Sequence, residues 1–304
     1  MPSSVVAVIN YKGGVGKTTL TANIGADLAA RGRRVLLIDM DPQASLSFSF
    51  FRVDEWEEQL ASEQTMLQWF QSYLRGGTTD PLRKYVVSPP VVNEVVQPLG
   101  GQLDLLASHL GLIEVDLDLA ASLGGARFKQ AHPRFLAVHR LLADALGDDG
   151  FAGYDAVLID CAPNFNMVTR TAIVASDYLL VPTRPDYLST LGVDYLRARL
   201  SRLVNDYNGV ARSPINPEIL GVVYTMIQRT GVGILKAQQA VMERLDRIEI
   251  PVFRQTIREN KTAFTDAGDR SLPVVLATER TGAIESVRYE LQQLTNELIA
   301  KTRA

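Results

Sequence analysis

Apolar residues in this chain gather into short unbroken runs, and the stretches between the runs carry apolar residues at helical spacing. Val5–Ile9, Val35–Ile38, Leu103–Ser108, Tyr154–Ile159, Tyr178–Val181 and Gly221–Met226 are the runs. Their near-continuous hydrophobicity is that of strands buried on both faces of a parallel sheet. Between them, Thr18–Ala30 places Leu20, Ile24, Leu28 and Ala29 on one helical face, and helices are predicted over Asn166–Ala175, about Leu188–Tyr207 and about Ile234–Leu245. The last segment, with Ile284, Val287, Leu291, Leu294 and Leu298, is amphipathic at the same spacing. Strand and helix alternating in this way predict one α/β domain over residues 1–304, a doubly wound, mostly parallel sheet flanked by helices. Two stretches are less regular. Residues 110–146 read as helices interrupted at Gly124-Gly125 and Pro133. Residues 45–101 show patchy helical spacing (Leu60, Met66, Leu67, Phe70, Leu74) and then Pro81, Pro89, Pro90 and Pro98, which break any long helix. This second stretch is expected to be a variable elaboration on the core, with Trp56, Trp69, Phe70 and Tyr73 as packing residues.

The first strand runs directly into Asn10-Tyr11-Lys12-Gly13-Gly14-Val15-Gly16-Lys17-Thr18-Thr19, and a helix begins near Lys17. Strand, glycine turn and helix in this order let backbone N–H groups and a helix N-terminus face phosphate oxygens. In such a loop Lys17 reaches the β- and γ-phosphates, Thr18 offers its hydroxyl to Mg²⁺, and Thr19 lies near the α-phosphate. The plain G-x-x-x-x-G-K-[ST] pattern is not met, because Tyr11 stands where its first glycine belongs, and Lys12 precedes the glycines. The string Lys12–Thr19 resembles the deviant Walker A loop of the ParA/MinD family of P-loop ATPases, closest to the Soj-like ParA partitioning proteins. Two later strings fit the resemblance. Asp39-Met40-Asp41-Pro42-Gln43 follows the second strand, and the run ending Ile159-Asp160 has the Walker B form, an apolar strand delivering a carboxylate toward Mg²⁺.

The resemblance implies the P-loop NTPase fold of the deviant Walker A class and hydrolysis of ATP to ADP. It implies that Lys12 reaches the nucleotide of a second subunit, so that ATP joins a homodimer. Asp41 would position or polarise the attacking water, with Asp39 and Asp160 supporting the magnesium site. Gly13, Gly14, Val15 and Gly16 would line the phosphates. Asn260 would approach the base, although Arg258-Glu259-Asn260 stands where the family commonly has Pro-Arg-Asn. The implied partners are non-specific DNA and a ParB-like activator or other cargo adaptor.

Composition narrows the alternatives. A chain of 304 residues with 46% hydrophobic and 21% charged residues is of ordinary globular type. Its single cysteine, Cys161, excludes an internal disulfide framework and a four-cysteine metal site within one chain. No apolar run approaches the roughly 20 residues of a membrane span, and Met1–Ser4 lead straight into the first strand, so a cytoplasmic, nucleoid-associated protein is expected. Net charge is −3, yet residues from Arg197 onward carry 16 Lys and Arg against 12 Asp and Glu. That leaves room for a local basic surface, with Arg197, Arg199, Arg202, Arg254, Arg258, Lys261 and Arg270 as candidate phosphate contacts. A MinD-like, membrane-associated positioning ATPase is the alternative. The amphipathic C-terminal segment lacks the bulky aromatics and dense cationic face of a membrane-surface helix, so a membrane partner is not expected.

Overall fold

The computed structural model describes residue 2 and residues 4–123, 132–230, 233–245, 250–264, 271–278 and 281–302. The expected interruption at Gly124-Gly125 and the candidate Arg270 lie outside the described residues.

Six parallel strands form the central sheet: β1 (Val5–Val8), β2 (Arg34–Met40), β3 (Gln102–Leu106), β4 (Ala156–Cys161), β5 (Tyr178–Thr183) and β6 (Glu218–Tyr224), in the spatial order β3-β2-β4-β1-β5-β6. Helices cross between them: α1 (Lys17–Ala30), α2 (Val53–Gln59), α3 (Met66–Gly76), α4 (Pro90–Val96), α5 (Leu112–Ser122), α6 (His132–Leu146), α7 (Met167–Val174) and α8 (Tyr187–Asn208). After β6 come a two-stranded ribbon, β7 (Arg229–Thr230) and β8 (Gly233–Ile234), then α9 (Lys236–Leu245) and α10 (Gly282–Lys301). Successive side chains on a strand point to opposite faces. Accordingly Val5, Ala7, Leu36 and Ile38 join one buried cluster with residues of α3, α5, α6, α7 and α8. Val6, Val8, Val35 and Leu37 join the other with α1, α4 and α10. The fold is the doubly wound α/β sheet that the apolar runs predict.

Residues 45–101 feed both layers. Trp69 and Phe70 of α3 and Tyr85 are buried in the first cluster, and Phe50, Trp56, Val92 and Val96 in the second. The amphipathic face of the C-terminal helix is likewise buried, with Val287, Leu291, Leu294 and Leu298 fully covered in the layer that holds α1. Among the described residues, no helix is long and apolar enough to cross a membrane. Pro251-Val252-Phe253 adds only a bridge beside β6. Val222 donates to the Pro251 carbonyl (2.8 Å) and Phe253 to that of Val222 (2.9 Å). Pro251 has no N–H to give, and the N–H groups of Arg254 and Gln255 turn to the Glu297 carboxylate instead.

His139 on α6 is fully buried against Phe135, and burial pushes its pKa down from 6.5 to about 4. The unfolded chain therefore binds the extra proton first as pH falls. Stability tied to this residue is fully present above about pH 6.5 and is lost as pH drops through 4. The full loss is about 3 kcal/mol at 1.36 kcal/mol per pKa unit. Urea unfolding of the wild type and of His139→Gln from pH 7 to pH 4 should show the wild type losing stability faster, by about that amount, across this window.

Candidate nucleotide site

The glycine loop lies between the C-terminal end of β1 and the start of α1. Gly14 (φ +66°) and Gly16 (φ +86°) adopt the left-handed conformation that side chains resist. Gly16 is the N-cap of α1, and no side chain caps that helix, which leaves its first N–H groups to a ligand. Two side chains tie the loop to the ends of β5 and β6. Thr225, just past β6, donates its hydroxyl to the Val15 carbonyl (2.7 Å). Asn10 donates to the Pro182 carbonyl (2.7 Å) and the Thr183 hydroxyl (3.2 Å) of β5, and its Oδ1 accepts the Lys12 N–H (3.0 Å).

Lys17 is buried, and burial lowers its pKa against the opposing pull of Asp160 and Asp41. Strand register then delivers the carboxylates. Asp39 on β2 and Asp160 on β4 are direct cross-strand partners, and both are fully buried. Thr18 donates its hydroxyl to Asp160 Oδ2 (2.6 Å), while Asp160 Oδ1 is buried with no hydrogen-bond partner among the described residues. Asp39 is fully engaged: Oδ2 accepts the N–H and hydroxyl of Ser47 (both 2.8 Å), and Oδ1 accepts the Asp41 N–H (3.2 Å). Burial pushes Asp39 up to about 7, and burial together with Asp39 holds Asp160 well above the usual carboxylate range. Two adjoining buried carboxylates with an orphaned oxygen form a donor set that suits a hard cation. Asp41 is half-buried at the mouth of this group, its Oδ1 accepting the Gln43 N–H (3.0 Å).

On the other side of the loop, Gly16, Thr19 and Leu20 line a cavity of about 580 Å³ with Thr225, Asn260 and Phe264. Asn260 lines this cavity, and its Oδ1 accepts the Ala263 N–H (3.1 Å). A larger cavity of about 860 Å³ opens at the opposite end of the sheet, around Val5, Tyr178 and Glu218. Open α/β sheets bind their ligands at the carboxyl ends of the strands, which favours the smaller cavity.

Lys12 makes the least expected contact. Its Nζ donates to both carboxylate oxygens of Asp186 (2.8 and 2.7 Å), and Asp186 also caps α8 by accepting the Ser189 N–H (2.9 Å). Asp186 escaped the sequence reading, although an aspartate just ahead of a helical stretch is an N-cap signal. The candidate phosphate contacts disperse. Arg258 is committed to the buried Glu290, through its backbone N–H (2.8 Å) and its guanidinium (2.9 and 2.8 Å), which removes it from that set. Arg197, Arg254 and Lys261 are exposed, whereas Arg199 binds the Tyr195 hydroxyl and Arg202 lies 3.7 Å from Asp206.

A glycine loop leading from a parallel strand to an uncapped helix, beside paired carboxylates on the adjoining strands, defines the P-loop nucleotide-binding class. Residues 3–211 match the AAA domain family AAA_31. The chain belongs to this family, among the ParA-type P-loop proteins. It is 32% identical over 230 residues to the chromosome partitioning protein ParA of Caulobacter vibrioides, covering 75% of this chain and 71% of that protein. It is 26% identical over 284 residues to the sporulation initiation inhibitor protein Soj of Bacillus subtilis, covering 92% and 94%. Its structure is similar to that of cobyrinic acid a,c-diamide synthase from Mycobacterium smegmatis with bound ATP analogue and magnesium, with a TM-score of 0.66, 25% identity, and 98% and 94% of the two chains covered.

The double duty of Asp186 gives a direct test. Replacing an N-cap aspartate by alanine typically costs about 1 kcal/mol, whereas asparagine retains the cap, and a half-exposed ion pair adds under about 1 kcal/mol. Asp186→Ala should therefore lower the urea midpoint clearly, and Asp186→Asn should remain much closer to the wild type.

Proposed function

We propose that this chain is a Mg²⁺-dependent ATPase in which ATP hydrolysis times the life of a homodimer, and that the dimer segregates DNA or positions cargo. The observation that carries the reading is the buried trio of Lys17, Asp39 and Asp160 around the uncapped start of α1. Gly13, Gly14, Val15 and Gly16 present their N–H groups to the phosphates, Lys17 offsets the charge of the β- and γ-phosphates, and Thr19 approaches the α-phosphate. Mg²⁺, when bound, would neutralise charge developing on the phosphate oxygens. Thr18 and Asp160 would hold it, and Asp39 would support them from behind through Ser47 and Asp41. Asp41, at the mouth, positions the attacking water. Asn260 contributes to the base end of the cavity.

Lys12 then acts on the nucleotide of a second copy, leaving Asp186 as the dimer forms. The exposed Tyr187, Leu188, Leu191 and Tyr195 on α8, beside that ion pair, suit contact with this second copy. Hydrolysis remains slow until a ParB-like activator or cargo adaptor completes the site, because phosphoryl transfer depends on positioning and charge stabilisation. The ATP dimer binds DNA without sequence preference through the basic C-terminal third, which places the protein in the cytoplasm at the nucleoid.

Asp41→Ala is expected to bind ATP and form dimers while hydrolysing it about a hundredfold more slowly or worse. Loaded with ATP, this variant should bind duplex DNA with an affinity that falls as salt rises, the slope reporting the number of phosphate contacts. Loaded with ADP it should not. An ATP-bound dimer that ignores DNA at every salt concentration would exclude the DNA-bound arm of this proposal, and a variant that still hydrolyses ATP at the wild-type rate would exclude the role given to Asp41.

A further inference from the structure

We propose that the cleft between α7 and α8 is a second anion site, separate from the glycine loop, which takes one phosphate-class oxyanion on Arg170 and Arg199. The cleft has a volume of about 140 Å³ and is lined by Phe165, Arg170, Arg199, Arg202, Leu203 and Asp206. That is roughly four to five water volumes, the scale of one tetrahedral oxyanion and well below the roughly 300 Å³ at which nucleotide-sized pockets begin. No residue of the glycine loop lines it.

Charge compensation in the cleft is incomplete. Arg170, half-buried, donates Nε to the Phe165 carbonyl (3.1 Å) and Nη1 to the Met167 sulfur (3.8 Å). Arg199, also half-buried, gives Nε (2.8 Å) and Nη2 to the Tyr195 hydroxyl. Each guanidinium has five N–H donors in a planar fork, so both keep donors in reserve. Among the described residues, neither has a carboxylate within 4.0 Å; the one acidic residue of the lining, Asp206, is 3.7 Å from the exposed Arg202. Burial, and after it Arg199, disfavour the charge on Arg170, against the weaker opposing pull of Tyr11, Asp116 and Asp206. Two neighbouring guanidiniums, each partly withdrawn from water and neither paired with a described carboxylate at contact distance, leave positive charge for an anion to balance, and their fork geometry matches a phosphate oxygen pair.

The cleft also adjoins the nucleotide site through aromatic rings. Tyr11, the residue before Lys12, packs edge to face on Tyr195 (4.7 Å) and stacks on Phe165 (6.0 Å). Its hydroxyl is buried without a partner among the described residues. An oxyanion that draws Arg199 away from the Tyr195 hydroxyl therefore alters the surroundings of the residue next to Lys12. The phosphate group could be free or part of a nucleic-acid backbone.

The test is calorimetric titration of the full chain with sodium phosphate at constant ionic strength. It is done in a Lys17→Ala background, where the glycine loop has lost its principal phosphate ligand. Saturable binding is expected, weakened at least tenfold by Arg199→Gln and by Arg170→Gln, and unchanged by Arg75→Gln, an exposed α3 arginine outside the cleft. Arg199→Lys, which keeps charge without the fork, should fall between. If Arg170→Gln fails to fold, the Arg199 pair decides. Displacement of phosphate by a short DNA duplex would assign the group to nucleic acid, and undiminished binding in its presence would assign it to free phosphate. Absence of phosphate binding in the Lys17→Ala chain, or equal binding by Arg199→Gln, overturns the proposal. Neither result bears on ATP hydrolysis, since the site does not depend on that reading.

Discussion

Two carboxylates buried side by side set the terms for the rest of this structure. Asp39 and Asp160 are forced together by the register of β2 on β4, and both lie at zero exposure beneath layers of helices on each face. Ionising both there without a cation is strongly unfavourable, which explains why both titrate above the usual carboxylate range. Lys17, itself buried at the first residue of α1, supplies positive charge that opposes this on Asp160. A fold that keeps such a group intact maintains it for chemistry, because an apolar replacement would suit the core better.

Around that centre the site draws on every strand end nearby. β1 supplies the loop, β2 and β4 the carboxylates, β5 the anchor for Asn10, and the residue after β6 the hydroxyl that fixes Val15. Lys12 and the start of α8 share one aspartate, so an ion pair joins the loop to the longest described helix beside the Tyr11–Tyr195 ring contact. Any event that withdraws Lys12 from Asp186 leaves that carboxylate with the helix cap and the more distant Arg184, whose Nε lies 3.9 Å away.

What the sequence revealed was local. Lys12–Thr19, Asp39–Asp41 and Asp160 each carry their meaning within a few residues, since a strand, its sharp turn and the next helix are contiguous. The apolar runs likewise marked the six strands, because a parallel strand covered on both faces has no polar side to confuse the pattern. The supports were invisible for the opposite reason. Asp186 lies 174 residues from Lys12 and Thr225 lies 210 from Val15, and no spacing rule joins them. Arg258 looked like any surface arginine until α10 brought Glu290 to it. Residues 45–101 showed Trp56, Trp69 and Phe70 as packing residues but not which layer each joins, since short helices do not develop a readable period. Segment 251–253 stops at one bridge beside β6 because its neighbours' N–H groups found the Glu297 side chain, a partner supplied by tertiary packing alone.

The central claim is that the buried carboxylates and Lys17 form one site for a nucleotide together with a divalent cation. Thermal unfolding of the unmodified chain with ADP, in magnesium and in EDTA, tests it most directly. Ligand at about a hundred times its dissociation constant adds roughly 2.7 kcal/mol to the folded state, so a clear rise in the midpoint is expected with ADP and magnesium and a much smaller one in EDTA. A midpoint that ignores ADP, or that rises equally with and without the cation, would contradict the account.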